Sequence, residues 1–396
     1  MTGWLPEMTE TTYVLLVLGG LMSASVLVDT IARRTCLPRI SLLVLVGVGY
    51  AVIQQLVLGQ PHSPPLGELG EPLINLALVM VAFLLGGQLT MERLRSIGPT
   101  ILALSLTVAV VGAVTVGLGL TLLGHSLAIA ISLAAISVAT DPAAVSEAVE
   151  DADADQDSPR TRAILGSVAI DDAWGIIIFG LALAGLGWAS SGNGGEALVH
   201  AGWELGGAIL LGAAIGLPAA WLTGRLRPGK PTQGEALALI FLTAGFSSYL
   251  GVSPLLAAMT SGFLIVNLSP HHTRSFTEIE GIEWPFLVFF FVLSGASIDL
   301  SYIGVATGLI VAYIVLRMVG RYLGGYLGVR ALREGNGLPR NFGLAMTPQA
   351  GVAMGMALLA TEQFPEQGNL IVATVVTSTI LFEIAGPLLV YRVLRR

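Results

Sequence analysis

The chain has 396 residues, of which 54% are hydrophobic and 11% are charged, and its formal net charge at pH 7 is −7. A mean hydropathy of +0.81, with apolar runs of about 18 or more residues from end to end, excludes a water-soluble globular protein. The 49 glycines are spread through these runs, which favours closely packed membrane helices over the strands of a β-barrel. The composition therefore predicts an all-α polytopic membrane protein.

Apolar runs that are bounded by proline, glycine or charge predict thirteen transmembrane helices, here called spans 1 to 13. In chain order the predicted spans are 11–28, 40–58, 73–90, 99–122, 126–147, 162–188, 198–225, 233–250, 253–268, 284–300, 302–329, 341–361 and 368–391. Span 1 has acids before it and arginines after it, the reverse of a secretory signal peptide, so we expect it to be retained.

The basic residues predict the orientation of these spans. Seventeen of the nineteen lysines and arginines lie in the connections after odd-numbered spans or in the C-terminal tail. The positive-inside rule places those connections in the cytoplasm. We therefore expect a multi-pass protein of the cell membrane with its N-terminus outside and its C-terminus inside. The two exceptions, Arg317 and Arg321, lie within span 11.

Two segments of the chain are repeated in the opposite orientation. The sequence FLLGGQLTMERL from Phe83 resembles FVLSGASIDLSY from Phe291, and SVATDPAAV around Thr140 resembles GLAMTPQAGV around Thr347. On the predicted topology, the two copies of each segment cross the membrane in opposite directions. Such an inverted repeat is typical of secondary transporters.

Both copies of the second segment contain a proline well inside their spans, in Thr140-Asp141-Pro142 and in Thr347-Pro348-Gln349. Proline removes a backbone hydrogen bond and clashes with the preceding turn, and free backbone groups at membrane depth are tolerated only beside protein or a water-filled cavity. Two interrupted helices at matching repeat positions predict a binding site between them.

Two adjacent acids, Asp171 and Asp172, lie in span 6. They are roughly nine residues into the span, or about 14 Å, close to the middle of a hydrocarbon core about 30 Å thick. A charge at that depth costs about 2.5 to 3.5 kcal/mol on insertion scales. Because consecutive helical residues point about 100° apart, one acid can face an ion while the other faces a partner helix.

These residues predict exchange of a cation for protons at one site. A carboxylate withdrawn from water can bind a proton or a small hard cation, which prefers oxygen ligands. We expect Asp172, Asp171, Thr140 and Asp141 to form the cation and proton site, and Arg317 to form an ion pair with one of the two adjacent aspartates. Arginine keeps its proton at working pH, so the aspartates must carry any transported proton. Accessory positions are Glu383, expected beside Arg321 or Arg317, together with Arg321, Thr347 and Gln349.

The combination of ATDP, IDDAWG, a basic residue in span 11, FFFVLSGASIDL and FEIAGPLL resembles the monovalent cation:proton antiporter superfamily, most closely its bacterial sodium/proton branch with a double aspartate. The resemblance implies a thirteen-helix inverted-repeat fold, usually a homodimer, that works by an elevator-type movement. It implies a dimer (scaffold) domain mainly at 11–90 and 198–300 and a core (ion-binding) domain mainly at 99–188 and 302–394. It also implies that Asp172 is the main ion ligand and that Asp171 pairs with the basic residue.

Three features depart from that pattern. Arg317 replaces the lysine that is typical of electrogenic bacterial members, which puts a two-proton stoichiometry in doubt. Gln88 replaces the usual glutamate at the end of span 3. We also expect no nucleotide-binding domain after the last span. The last feature argues against the ligand-gated potassium efflux branch, although K⁺/H⁺ exchange on the same fold remains an alternative to exchange of Na⁺ or Li⁺.

Two other classes of membrane protein share part of this pattern. An intramembrane aspartyl protease places its two aspartates on separate helices, one of them in a Gly-x-Gly-Asp motif that this chain lacks, so we expect a transporter and not an enzyme. A sodium-coupled symporter for an organic anion would need polar side chains for its substrate but no buried acid–base pair. We expect no cofactor and no nucleic-acid partner; the predicted partners are the bilayer and a second copy of the chain.

Overall fold

The computed structural model describes residues 10–32, 34, 39–58, 66, 69–152, 154–155, 158–190, 194–223, 232–269, 272–332, 337–349 and 351–395. Within these ranges the chain is entirely helical. Its α-helices are α1 (Glu10–Ala32), α2 (Arg39–Val52), α3 (Gly70–Gln88), α4 (Met91–Leu122), α5 (Leu127–Ile136), α6 (Pro142–Asp151), α7 (Pro159–Ser190), α8 (Gly194–Thr223), α9 (Thr232–Leu250), α10 (Pro254–Leu268), α11 (His272–Ala296), α12 (Ile303–Ala331), α13 (Gly351–Gln363) and α14 (Pro365–Arg395).

The predicted spans correspond to these helices in order. In the part of the chain that the structure describes, seven stretches are long and apolar enough to cross a membrane: Thr12–Ala32, Arg39–Val57, Gly98–Leu122, Pro159–Leu183, Gly202–Leu222, Gly304–Ala331 and Pro365–Arg395. Six shorter apolar stretches, in α3, α5, α9, α10, α11 and α13, account for the remaining predicted spans. Span 5 is divided between α5 and α6, and span 12 between a 3₁₀ turn, Phe342–Met346, and α13. The all-helical fold with two interrupted helices is therefore confirmed.

Charge and apolar surface are distributed as a bilayer requires. Large apolar side chains such as Leu16, Leu118 and Leu388 are exposed on the outside of the bundle, where lipid replaces water. The charged side chains of Arg317 and Arg321 are instead among the largest fully buried side chains. Intramembrane charges that face the bundle interior are the expected arrangement for a functional site.

The helices pack as two groups. A scaffold group contains α1, α2, α3, α8, α9, α10 and α11, and a site group contains α4, α5, α6, α7, α12, α13 and α14. The groups meet where α7 leads into α8, where α13 lies on α3 and where α14 lies on α2. The chain passes from the scaffold group to the site group between α3 and α4 and again between α11 and α12.

Small residues allow the closest helix contacts. At the α3–α10 contact, a Cβ atom added to Gly86 would lie 2.1 Å from the carbonyl oxygen of Met259. One added to Gly262 would lie 2.1 Å from the carbonyl oxygen of Phe83. Only glycine fits at either position, because these two backbones touch directly, as in other membrane helix pairs with small interface residues.

Candidate ion-binding site

The two helix interruptions cross inside the site group. Residues 137–141 separate α5 from α6, and residues 347–349 follow the 3₁₀ turn before α13. The backbone N–H of Asp141 donates to the carbonyl oxygen of Pro348 at 2.9 Å. This hydrogen bond joins the interruptions directly. Prolines open both segments, since Pro142 begins α6 and Pro348 lacks the N–H that would continue the 3₁₀ turn.

Asp171 is fully buried on α7 and is held by two donors. Its Oδ2 atom accepts a hydrogen bond from Thr140 Oγ1 at 2.5 Å and forms a salt bridge with Nη1 of Arg321 at 2.7 Å. The expected ion pair between Arg317 and Asp171 is therefore wrong, because Arg321 takes that place. The two arginines are one helical turn apart on α12 and lie on the same face of the helix. Their predicted depths in the membrane are therefore similar and do not show which of them pairs with Asp171.

Arg321 also binds the end of the first interrupted helix. Its Nη2 atom donates to the carbonyl oxygens of Ser137 at 3.1 Å, of Ala139 at 3.2 Å and of Val138, and to the hydroxyl of Thr140 at 3.0 Å. These carbonyls follow the C-terminus of α5, where a helix has unsatisfied acceptors and a partial negative charge. Arg321 thus links that negative helix end to the carboxylate of Asp171.

Arg317 donates hydrogen bonds to backbone carbonyl oxygens of both interruptions. Its Nε atom donates to Ser137 at 3.1 Å, its Nη2 atom to Ala139 at 2.9 Å and its Nη1 atom to Thr347 at 2.7 Å. The guanidinium also lies 4.4 Å from the centre of the Phe382 ring, a distance that favours a cation–π contact. Arg317 therefore holds the crossing together without touching the acid pair.

Asp172 has a different environment from its neighbour. It is 3% exposed, and its carboxylate interacts with the backbone N–H of Thr140 and lies near Asp141. Among the described residues it forms no salt bridge, and its Oδ1 atom meets no hydrogen-bond donor. Oδ1 of Asp171 also meets no donor in the described chain, so the two acids differ in their counter-charge: Asp171 has Arg321, and Asp172 forms no salt bridge there.

The accessory residues of the second interruption stabilise the crossing. The hydroxyl of Thr347 donates to the carbonyl oxygen of Leu344 at 2.7 Å. Nε2 of Gln349 donates to the carbonyl oxygen of Ile136, at the end of α5, at 3.4 Å and contacts the hydroxyl of Tyr313 at 3.2 Å. Thr347 therefore stabilises the turn before it, and Gln349 joins the second interruption to the end of α5 and to α12.

Glu383 is buried on α14 near the crossing. It contacts the carboxyl of Asp141 and the backbone N–H of Gln349. Within the described ranges no salt bridge joins it to Arg317 or Arg321, although its charge acts on Arg317. The predicted ion pair is therefore not formed, because the guanidinium of Arg317 binds the carbonyls of the crossing instead.

The chain is similar to a known protein family in sequence and to solved structures in fold. The model of the transmembrane sodium/hydrogen exchanger family matches residues 21–393. The chain belongs to the sodium/hydrogen exchanger family. It is therefore a transporter of the cation:proton antiporter class. No curated protein sequence matches it at a significant level.

Solved structures support the fold of the exchanger. It is similar to the sodium proton antiporter MjNhaP1 from Methanocaldococcus jannaschii at pH 8, with a TM-score of 0.76 and 19% identity over 98% of this chain and all of that one. An electron-microscopy map of the same antiporter gives a TM-score of 0.69 and 18% identity over 96% of this chain and 95% of that one. At this level of identity the likeness shows the fold alone.

A cavity of about 390 Å³ lies between the two helix groups of the exchanger. The site group contributes Ile176 and Phe179 of α7 to its wall, and the scaffold group contributes Asn75 and Glu204. Ile176 is four residues after Asp172, or about 6 Å along the helix. The cavity therefore borders α7 about one helical turn beyond Asp172.

One residue of the site had not been predicted. Tyr313 of α12 is fully buried and contacts Gln349. Its signal was present in the sequence, because Tyr313, Arg317 and Arg321 recur every four residues and so form one polar stripe on an otherwise apolar helix. The same stripe indicates that both arginines face the site.

Within the described ranges, no three Asp, Glu, His or Cys side chains come close enough together to hold a metal ion by themselves.

Proposed function

We propose that the exchanger carries Na⁺, and also Li⁺, in exchange for protons, with Asp172 as the group that binds either ion. The observation that carries this proposal is the contrast within the acid pair. Oδ1 of each acid has no donor in the described chain, but Asp171 has a counter-charge in Arg321 and a hydrogen bond from Thr140, whereas Asp172 forms no salt bridge there. A buried carboxylate in that state requires a proton or a cation.

Competition at this carboxylate is sufficient to couple the two ions. A proton and a sodium ion cannot occupy Asp172 together, so the site carries one or the other across the membrane. Asp171, Thr140 and Asp141 line the same crossing and supply further oxygen atoms, which small hard cations prefer. No additional coupling device is needed.

The partner of Asp171 sets the stoichiometry that we propose. A guanidinium keeps its proton throughout the working pH range, so Arg321 stays charged and Asp171 stays paired in every step. Only Asp172 then changes its ligand. We propose an electroneutral exchange of one cation for one proton.

We also propose that the site group moves as an elevator against the scaffold group. The scaffold domain would comprise mainly 11–90 and 198–300 and the core domain mainly 99–188 and 302–394. The exchanger would form a homodimer in the cell membrane, with its N-terminus outside. On this topology the cavity beside Ile176 and Phe179 is the access route from the outside.

Proteoliposomes test the proposed exchange. The purified exchanger is reconstituted with a pH-sensitive dye inside, and Na⁺, Li⁺ or K⁺ is added to one side. We expect a response to Na⁺ and Li⁺ that is lost in Asp172→Asn and retained in Glu366→Gln, which removes an exposed acid on α14. A response to K⁺ alone would overturn the sodium assignment, and full activity of Asp172→Asn would overturn the role of that residue.

A further inference from the structure

The carboxamide of Asn267 binds both sides of the connection from α3 to α4, which leads from the scaffold group into the site group. Oδ1 of Asn267, near the end of α10, accepts from the backbone N–H of Met91 at 2.6 Å. Nδ2 of the same side chain donates to the carbonyl oxygen of Leu89 at 3.0 Å and to that of Phe263 within α10 at 2.7 Å. The connection is therefore fixed to a scaffold helix.

The connection from α11 to α12 is held in the same way. Oε1 of Gln55, in the π-helical turn after α2, accepts from the backbone N–H of Leu300 at 2.9 Å. Nε2 of Gln55 donates to the carbonyl oxygen of Ile298 at 3.1 Å. Here too one carboxamide from a scaffold helix binds both sides of the connecting segment.

The two arrangements repeat one pattern. In each, the amide oxygen accepts from the N–H of one residue and the amide nitrogen donates to the carbonyl two residues earlier. In each, the amide comes from the helix before the scaffold helix that leads into the other connection: α10 precedes α11 and binds the α3–α4 connection, and α2 precedes α3 and binds the α11–α12 connection. The predicted topology places Asn267 and Gln55 at opposite faces of the membrane.

The backbone can bend just beyond each amide. After Met91, α4 is interrupted at Gly98, whose φ of 71° is a left-handed conformation that favours glycine. After Leu300, a 3₁₀ turn, Leu300–Tyr302, leads into α12. If the site group moves, we expect the backbone to change conformation at these points, because the residues before them are hydrogen-bonded to the scaffold group.

We propose that Gln55 and Asn267 are positioning residues for transport, a matched pair of clamps that fix the two points about which the site group moves. This inference rests on the exchange proposed above. Neither side chain touches Asp171 or Asp172 in the contacts of the described chain. The clamps therefore act on the movement between the two membrane faces and not on ion binding.

Transport and binding assays separate these two effects. Gln55→Leu and Asn267→Leu keep the bulk of the side chain and remove both hydrogen bonds. We expect turnover to fall at least about tenfold, the equivalent of about 1.4 kcal/mol, while Na⁺-induced proton release from the purified protein stays at the wild-type value. Asn267→Asp keeps the acceptor for Met91 and should retain intermediate turnover. Asn369→Leu changes an exposed carboxamide of α14 and serves as the control.

Hydrogen–deuterium exchange tests the clamps without any transport. We expect faster exchange only in the peptide around Leu300 for Gln55→Leu and only in the peptide around Met91 for Asn267→Leu. Unchanged protection, or unchanged turnover in a folded variant, would overturn the proposal. Equal loss of proton release and turnover would also overturn it, because that result indicates general structural damage. If the wild type does not exchange Na⁺ for protons, the proposed function is contradicted instead. Hydrogen–deuterium exchange of the backbone amides can still be measured in that case and still tests the clamps.

Discussion

Arg321 and Asp171 form a buried salt bridge, with Nη1 of the arginine 2.7 Å from Oδ2 of the aspartate and both side chains at most 1% exposed. The bridge joins α12 to α7 at the crossing of the two interrupted helices. Because the arginine holds Asp171, we propose that the adjacent Asp172 is the exchangeable acid. On this proposal the division of roles within the acid pair depends on Arg321 and not on Arg317.

Removal of Arg321 should destabilise the exchanger through the charge it leaves behind. Arg321→Gln leaves Asp171 ionised and unpaired in the bundle, and breaking a buried pair in this way costs about 3 to 5 kcal/mol. Adding Asp171→Asn should regain the part of that loss that comes from the unpaired carboxylate, but not the part that comes from the lost hydrogen bonds to the carbonyls of the crossing. Thermal unfolding of the purified protein in detergent measures both changes. Arg330→Gln, at an exposed position of the same helix, should have little effect, and a double variant as unstable as Arg321→Gln would contradict the pairing.

Arg317 should behave differently under the same treatment. Arg317→Gln removes donors from the carbonyls of Ser137, Ala139 and Thr347, each hydrogen bond to a charged group being worth about 1.5 to 3 kcal/mol. Asp171→Asn should not rescue this variant, since the two residues are not partners. Rescue in the unfolding assay would show that Arg317 pairs with the acid after all.

Much of this arrangement could be predicted from the sequence. Proline inside two matching apolar runs predicts the interruptions at Thr140 and Thr347, and the depth of Asp171 and Asp172 predicts a buried acid pair. Arg317 and Arg321 lie at nearly the same depth, and a choice between them depends on helix rotation and on which carbonyls lie opposite. Those are properties of packing in three dimensions that no local pattern contains. The position of Glu383 beside Asp141 depends on the same packing.

The α3–α10 contact should tolerate no side chain at its closest point. In Gly262→Ala the new Cβ atom would lie 2.1 Å from the carbonyl oxygen of Phe83, and overpacking of this kind costs about 1 to 3 kcal/mol or more. Gly245→Ala is the matched control, because nothing lies within 4 Å of its added Cβ atom. We expect a lower unfolding temperature for the first variant and an unchanged or slightly higher one for the second. Equal stability of the two would contradict the close contact of α3 and α10.

Tying the two helix groups together should stop transport. Asn75 of α3 and Leu359 of α13 line the same cavity from opposite groups, and the single native cysteine, Cys36, can be replaced by serine. In a Cys36→Ser background, cysteines at 75 and 359 joined by a short reducible cross-linker should abolish exchange, and reduction should restore it.

The control for this experiment is a cross-link between α3 and α10, which belong to the same group. That variant should remain active when cross-linked. Full exchange in the cross-linked 75/359 variant would rule out relative movement of the two groups at this contact.

The most direct test of the account is the number of protons released when the purified exchanger binds Na⁺. Isothermal titration calorimetry in buffers of different ionisation enthalpy gives this number, and repetition at several pH values shows the competition. We predict a single proton per Na⁺, an apparent sodium affinity that falls as the pH falls, and neither binding nor release in Asp172→Asn. Sodium binding without proton release, or release of two protons for each Na⁺, would contradict competition at Asp172 alone.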